Sequence, residues 1–188
     1  MKAMREKVFI TAVLVLCWAL LPMVGYGGPP QCDGIAEQVG RHFAYMWCHG
    51  SVWHLVGNVF VVWVLRRPLY LLPAVVIGFL CSWIPAVPGL WGMIAAADAA
   101  GTVAEPVVTV GFSGVLFGIV GVKWGVCCGG DCDRVATYRT FVLKVVPIAL
   151  LGFFIPHLNW SLHLYCLIAG LGYGLTATMW QHRETSGK

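Results

Sequence analysis

The chain has 188 residues, of which 59% are hydrophobic and only 11% are charged. Soluble domains carry about 25% charged residues, so this composition excludes an ordinary water-soluble domain. Nine Trp and six Tyr residues suit a protein with aromatic belts at two membrane interfaces. The formal net charge of +4 does not indicate nucleic-acid binding, because the positions of the basic residues are more informative than their sum.

The first apolar segment runs from Val8 to Val24 and follows three basic residues, Lys2, Arg5 and Lys7. Such a segment is either a signal peptide or a membrane helix. The run is long for a signal peptide, and no small-x-small cleavage pattern follows it closely. We therefore expect a helix that the protein retains.

Six segments approach the length of about 20 apolar residues that a helix needs to cross a bilayer. They are residues 8–25, 51–66, 68–84, 112–127, 141–156 and 160–180. Arg66, Arg67 and Pro68 divide the second segment from the third. Because no linker or change of composition interrupts the chain, residues 1–188 are predicted to form one domain, an all-α membrane protein with a six-transmembrane-helix bundle.

The basic residues predict the orientation of this bundle. With six spans and a cytosolic N-terminus, eleven of the twelve Lys and Arg residues lie on one side, and Arg41 alone lies on the other. Cytosolic loops carry an excess of Lys and Arg, so both termini are predicted to be cytosolic. Two weakly charged outer loops, residues 26–50 and 85–111, then follow the first and third helices.

Four polar residues, His54, Asn58, Ser113 and His163, are predicted at the outer ends of three different helices. Polar groups in a membrane are costly, so each of them is a functional candidate. His54 and Asn58 are four residues apart and share a helix face. Structural roles remain open alternatives: His54 as an interfacial histidine, Asn58 as a residue that hydrogen-bonds a neighbouring helix, and Ser113 as a small packing residue.

Two stripes of small residues predict that the fourth and sixth helices pack closely, because small side chains let helix backbones approach. One stripe comprises Gly114, Gly118, Gly121 and Gly125, and the other comprises His163, Cys166, Gly170, Gly174 and Ala177. If the stripes face each other, the Ser113 hydroxyl comes within reach of the His163 ring. A hydroxyl beside an imidazole is the nucleophile and base of an acyl-transfer enzyme, although ordinary helix packing also fits.

Together these residues resemble the rhomboid family of intramembrane serine proteases. The resemblance rests on the Gly-x-Ser-Gly segment at residues 111–114 and on His163, which opens the last helix. It also rests on the His-x-x-x-Asn pair formed by His54 and Asn58, on the preceding His49, and on Arg41 in the outer loop. The order of these elements fits along nearly the whole chain.

Four positions depart from the family pattern. Gly40 stands where a tryptophan usually precedes the arginine, and Tyr70 stands near a position that is often glutamate. Cys166 replaces a glycine that often follows the catalytic histidine by three residues. Phe117 keeps an aromatic ring for stacking on that histidine, without a hydroxyl. None of these changes removes a group that the chemistry needs.

The resemblance implies a catalytic dyad of Ser113 and His163, with His54, Asn58 and the backbone N–H of Ser113 stabilising the oxyanion. Gly111 and the small residues of the stripes, including Gly114, Gly118, Gly170 and Gly174, are expected to support helix packing. No cofactor and no metal are implied. The expected partners are the lipid bilayer and transmembrane protein substrates, and the expected location is a bacterial plasma membrane. The oligomeric state is left open.

Alternatives remain for the whole chain and for its cysteines. A rhomboid-like protein without activity would bind transmembrane segments, whereas a transporter would show repeats and polar groups near the midplane. Cys127, Cys128 and Cys132 lack a C-x-x-C pair, so we expect a reduced loop rather than a zinc site. Pairing of Cys32 with Cys48 stays open. The remaining histidines, His42, His49, His157 and His182, are interpreted as interfacial or solvated.

Overall fold

A computed structural model describes residues 2–21, 34–65, 68–90, 93–94, 109–130, 139, 143, 147, 153–155 and 158–186. Within these ranges the protein forms six α-helices and no strand. The helices are α1 (Lys2–Leu20), α2 (Ile35–Ala44), α3 (Val52–Val64), α4 (Leu71–Cys81), α5 (Ser113–Gly129) and α6 (Trp160–Ser186). Five of the six predicted spans overlap one of these helices, and most of the predicted span 141–156 lies outside the described residues.

The short helix α2 lies in a segment that the sequence predicted to be an outer loop. Its apolar residues Ile35, Val39 and Phe43 recur every four residues and are exposed on one face. A search for apolar runs of membrane length overlooks such a helix, because its polar residues alternate with the apolar ones. The predicted outer loop 26–50 therefore contains a short helix, which the sequence analysis did not predict.

One helix among the described residues is long and apolar enough to cross a membrane, by its length and composition. It corresponds to 26 residues of α6, Trp160–Thr185. The apolar helices α3, α4 and α5 are shorter than 18 residues. The described residues therefore support a bundle of apolar helices and leave the number of membrane crossings as a prediction.

The helices α5 and α6 form the centre of the fold, with α4 packed against both and α1 packed against α3. Glycine makes the central contact possible, because a Cβ atom on Gly125 would meet the backbone of Leu171 and Gly174. In the other direction, a Cβ on Gly170 would meet the backbone of Gly118 and Gly121. The close approach of the two backbones fixes the helices relative to each other along several turns.

Two lysines mark the end of the bundle that lies away from Ser113. Lys7 Nζ donates to the backbone carbonyls of Trp63 and Leu65, each at 2.7 Å. Lys123 Nζ donates to the carbonyl of Pro68 at 3.0 Å. These carbonyls lie at the C-terminal end of α3 and just beyond it, where a helix leaves carbonyl groups without intrahelical partners. The basic side chains therefore close one end of the bundle.

The cysteines differ in part from expectation. Cys127 is disulfide-bonded, so a fully reduced loop was the wrong expectation for this residue. Cys128 is a free thiol, and so is the buried Cys48, which means that Cys48 does not pair with Cys32 in this structure. Cys132 and Cys32 lie outside the described residues.

Candidate active site

The segment before α5 places Ser113 at the first position of that helix. Gly111 has a φ of +114°, a backbone conformation that favours glycine, and its N–H donates to the carbonyl of Tyr45 at 2.8 Å. Phe112 follows and is fully buried in the core. The turn at Gly111 and the anchor at Phe112 leave Ser113 partly exposed beside the first turn of α6.

Ser113 Oγ lies 2.8 Å from His163 Nε2. The imidazole is buried and stacks on the ring of Phe117, with ring centroids 4.6 Å apart and ring planes 17° apart. Phe117 is one turn along α5 from Ser113, so a single helix presents both the hydroxyl and the stacking ring to His163. The stack limits rotation of the imidazole and keeps Nε2 directed toward the hydroxyl.

Asn159 links the two segments that carry this pair. Its side-chain oxygen accepts from the backbone N–H of Leu162 at 3.1 Å and from Ser161 Oγ at 2.9 Å, which caps the first turn of α6. Its amide nitrogen donates to Thr109 Oγ1 at 2.8 Å. Ser161 Oγ in turn accepts from the backbone N–H of Val87 at 3.0 Å. The start of α6 is therefore attached to the segment that leads into α5.

His54 lies in the first turn of α3, where Ser51 caps the helix by accepting from the His54 N–H at 3.2 Å. The His54 ring lies against the α-carbon of Gly111, so that a Cβ atom on residue 111 would overlap the ring. The glycine therefore allows the histidine of α3 to approach the serine segment of α5.

Asn58 is buried one turn further along α3, and its Nδ2 lies 2.8 Å from Nε2 of His49. His49 is only 6% exposed and its ring meets the His54 ring edge to face, with centroids 5.2 Å apart. Burial, and then the neighbouring His54, lower the pKa of His49 to about 4. The interpretation of His49 as an interfacial or solvated residue was wrong.

Sequence reasoning missed this contact because His49 belongs to a loop and not to a helical repeat. The signal that could have found it was the resemblance itself, which already contained His49 beside His54 and Asn58. Periodicity relates His54 to Asn58 on one helix. It gives no information on how the chain at residues 48–51 folds back toward that helix.

The other histidines differ from one another. His42 is partly buried, stacks on Trp83 with centroids 4.0 Å apart, and bonds Ser82 Oγ through Nδ1 at 2.8 Å. The Ser82 hydroxyl donates to the carbonyl of Phe79. Burial lowers the pKa of His42, so its interpretation as interfacial or solvated is incomplete. His182 is exposed near the end of α6, and His157 lies outside the described residues.

The small residues near the dyad have distinct neighbours. Gly114 faces Leu162 and Cys166 of α6, whereas Gly118 faces Ala74 of α4. A Cβ on Gly174 would meet the backbone of α5. Cys166, which stands in place of a family glycine, is fully buried and its thiol is hydrogen-bonded to that of Cys81 in α4. The bundle therefore accommodates the cysteine without separating α5 from α6.

No group of three or more His, Cys, Asp or Glu residues among the described residues is arranged to hold a metal ion. Arg41 pairs with Glu37 one turn earlier in α2 at 2.9 Å. The acidic residues Asp98, Glu105, Asp131 and Asp133 lie outside the described residues. Within the described chain, the hydrogen-bonded partner of the Ser113 hydroxyl is an imidazole held by stacking.

Fold and site together define a helical-bundle protein with a serine–histidine pair at one end of its central helices. A comparison with protein families matches the Rhomboid domain over residues 36–180. Because this match spans more than half of the chain, the protein belongs to the rhomboid family and is an integral membrane protein. Rhomboid proteins are generally serine proteases, and inactive members exist. A search of curated proteins found no match.

Proposed function

We propose that this protein is an intramembrane serine endopeptidase that cleaves transmembrane protein substrates near the outer membrane interface. The observation that supports this most directly is the 2.8 Å contact between Ser113 Oγ and His163 Nε2. A serine activated by an adjacent base is the arrangement that acyl transfer requires. Membership of the rhomboid family adds the expectation that this pair acts on a peptide bond.

In the proposed reaction His163 Nε2 accepts the Ser113 proton while Ser113 Oγ attacks the substrate carbonyl carbon. The imidazolium then protonates the leaving amine, and an acyl-enzyme remains on Ser113. Water enters from the exposed side of Ser113 and attacks the acyl carbon while it loses a proton to His163. The bond from Ser113 Oγ to the acyl carbon then breaks, the imidazolium returns the proton to Ser113 Oγ, and the new carboxylic acid leaves. Stacking on Phe117 holds the ring through these proton transfers.

Negative charge that develops on the substrate oxygen needs hydrogen-bond donors. We assign this role to His54, Asn58 and the backbone N–H of Ser113. His54 approaches the serine segment at Gly111, and Asn58 follows on the same face of α3. A donor of this kind contributes on the order of 3 kcal/mol to transition-state stability in a site of low dielectric constant.

The substrate class follows from the location of the dyad in a membrane protein. Backbone amides of an intact transmembrane helix are already paired, so the substrate must unwind locally before Ser113 can reach a carbonyl. We propose that both termini are cytosolic and that the dyad faces the outer side, because Lys7 and Lys123 lie toward the opposite end of the bundle. A bacterial plasma membrane is the proposed location.

The test is cleavage of a single-span substrate by the full chain in liposomes. Ser113→Ala and His163→Ala are each expected to abolish cleavage, whereas Ser82→Ala and His182→Ala retain it as matched controls. A fluorophosphonate probe is expected to label Ser113 in the wild-type protein. Full cleavage by Ser113→Ala would remove the proposed mechanism.

A rhomboid-like protein that binds transmembrane segments without cutting them is the alternative. The same experiment separates the two functions. Absence of both cleavage and Ser113 labelling in folded wild-type protein, together with retained binding of the substrate span, would favour the non-catalytic function.

A further inference from the structure

His49 contacts Asn58, one of the proposed oxyanion donors. Its Nε2 lies 2.8 Å from Asn58 Nδ2, and both side chains are buried. A side-chain amide nitrogen only donates, so Nε2 is the acceptor in this hydrogen bond. The imidazole is therefore neutral and carries its proton on Nδ1.

An asparagine amide has two N–H groups and one carbonyl oxygen. The hydrogen bond to His49 uses one N–H and determines which end of the amide faces His49. The second N–H stays available for another acceptor. Without this contact the amide can rotate by half a turn and present its oxygen, which would repel the negative charge on a substrate oxygen.

We propose that His49 is a positioning residue that orients the Asn58 amide, so that the second N–H of Asn58 is directed at the substrate oxyanion. The inference rests on the proposed peptidase function. In this role His49 acts through its hydrogen bond to Asn58 and not on the reacting atoms.

The surroundings of His49 are consistent with a fixed ring. The ring is 6% exposed, and the edge-to-face contact with His54 restrains it from a second direction. The hydrogen bond from the Asn58 amide to Nε2 is the side-chain hydrogen bond of this buried ring.

The test uses five variants of the full chain and kinetics on a single-span peptide substrate in detergent micelles. His49→Phe keeps an aromatic ring and removes the acceptor. It is expected to lower kcat about 10- to 100-fold, the range for a misplaced catalytic group, while KM changes less than about twofold. His49→Gln offers a carbonyl oxygen to the Asn58 amide and is expected to recover at least about a third of the wild-type kcat.

The double variant distinguishes positioning from general stability. If His49 acts through Asn58, His49→Phe in an Asn58→Ala background lowers kcat no further than Asn58→Ala alone. Two outcomes would overturn this inference without affecting the proposed peptidase function: kcat losses of the two single variants that add up in the double variant, or a wild-type kcat in His49→Phe. If His49→Phe does not fold, failure of the folded His49→Gln variant to exceed His49→Ala in kcat overturns it equally. An inactive wild-type protein whose Ser113 resists labelling instead overturns the proposed function.

Discussion

Asn159 donates a hydrogen bond from its side-chain amide to Thr109 Oγ1 at 2.8 Å, across the boundary between the two chain segments that carry Ser113 and His163. Both side chains are buried, so water does not replace this bond when it is lost. The same asparagine caps α6 through its oxygen. One residue thus sets the start of the histidine helix and ties it to the serine segment.

Removal of this bridge is expected to affect stability and activity together. Thr109→Val keeps the side-chain shape and leaves the Asn159 amide unpaired, which destabilises the fold by about 1–2 kcal/mol. Asn159→Ala also removes the helix cap, so we expect a larger loss of about 2–3 kcal/mol. Thermal unfolding in detergent, followed by circular dichroism, measures both. Equal stability of wild type and Thr109→Val would contradict the bridge.

The contact between α5 and α6 predicts opposite results for two neighbouring glycines. A Cβ at Gly170 would meet backbone atoms of Gly118, Val122 and Gly121, so Gly170→Ala forces the helices apart at a cost of about 1–3 kcal/mol. Gly172→Ala adds a methyl group with no atom within 4 Å and is expected to stabilise α6 by up to about 1 kcal/mol. Similar unfolding temperatures for the two variants would refute the packing argument.

Stacking of Phe117 on His163 is expected to contribute to the rate. The pair is worth about 0.5–1.5 kcal/mol, so Phe117→Leu is expected to lower kcat about two- to tenfold if the loss appears in the transition state. Phe117→Tyr keeps the ring and is expected to stay near the wild-type rate. Phe79→Leu, which loses a ring contact with Trp83 elsewhere in the bundle, is the matched control. Substrate cleavage and the rate of Ser113 labelling provide the measurements.

Burial of neutral His49 predicts a pH dependence of stability. Its pKa is lowered to about 4 in the folded protein, compared with an ordinary value of 6.5. Between these values the unfolded chain binds the proton more strongly, so stability rises with pH from about 4 to 6.5 and falls on acidification. Protonation of this histidine below about pH 4 lowers the free energy of unfolding by up to about 3 kcal/mol relative to neutral pH. It is measured as the difference in pH dependence of unfolding between wild type and His49→Gln. The same pH dependence of unfolding in both proteins would exclude this contribution of His49.

The helical character of the chain could be predicted because apolar runs and their polar interruptions are local properties. Arg66, Arg67 and Pro68 separated two helices correctly, as α3 ends at Val64 and α4 begins at Leu71. The amphipathic helix α2 escaped the prediction because ten residues are too few to form an apolar run of membrane length. α1 begins before its apolar segment, since its basic residues are good helix formers.

The candidate site was foreseeable to the extent that it depends on helix periodicity. The glycines of α5 and α6 repeat at intervals of three and four residues, so the sequence alone predicts which faces of these helices contain small residues. Such a repeat does not determine the partner of each glycine. A Cβ atom on Gly118 would face Ala74 of α4, whereas the backbone carbonyl of Gly118 lies against Gly170 of α6, because α5 is packed between two helices and not one.

By itself, the sequence determined a chain of apolar helices with one hydroxyl and one imidazole at corresponding helix ends, since composition and periodicity act along a single segment. Only the tertiary structure decided that His49 contacts Asn58, that His54 reaches Gly111 and that Asn159 joins the two segments of the dyad. These contacts form between loops and helix ends, where no repeat relates the residues. Their geometry depends on the path of the backbone through space, which the close packing of α5 against α6 restricts.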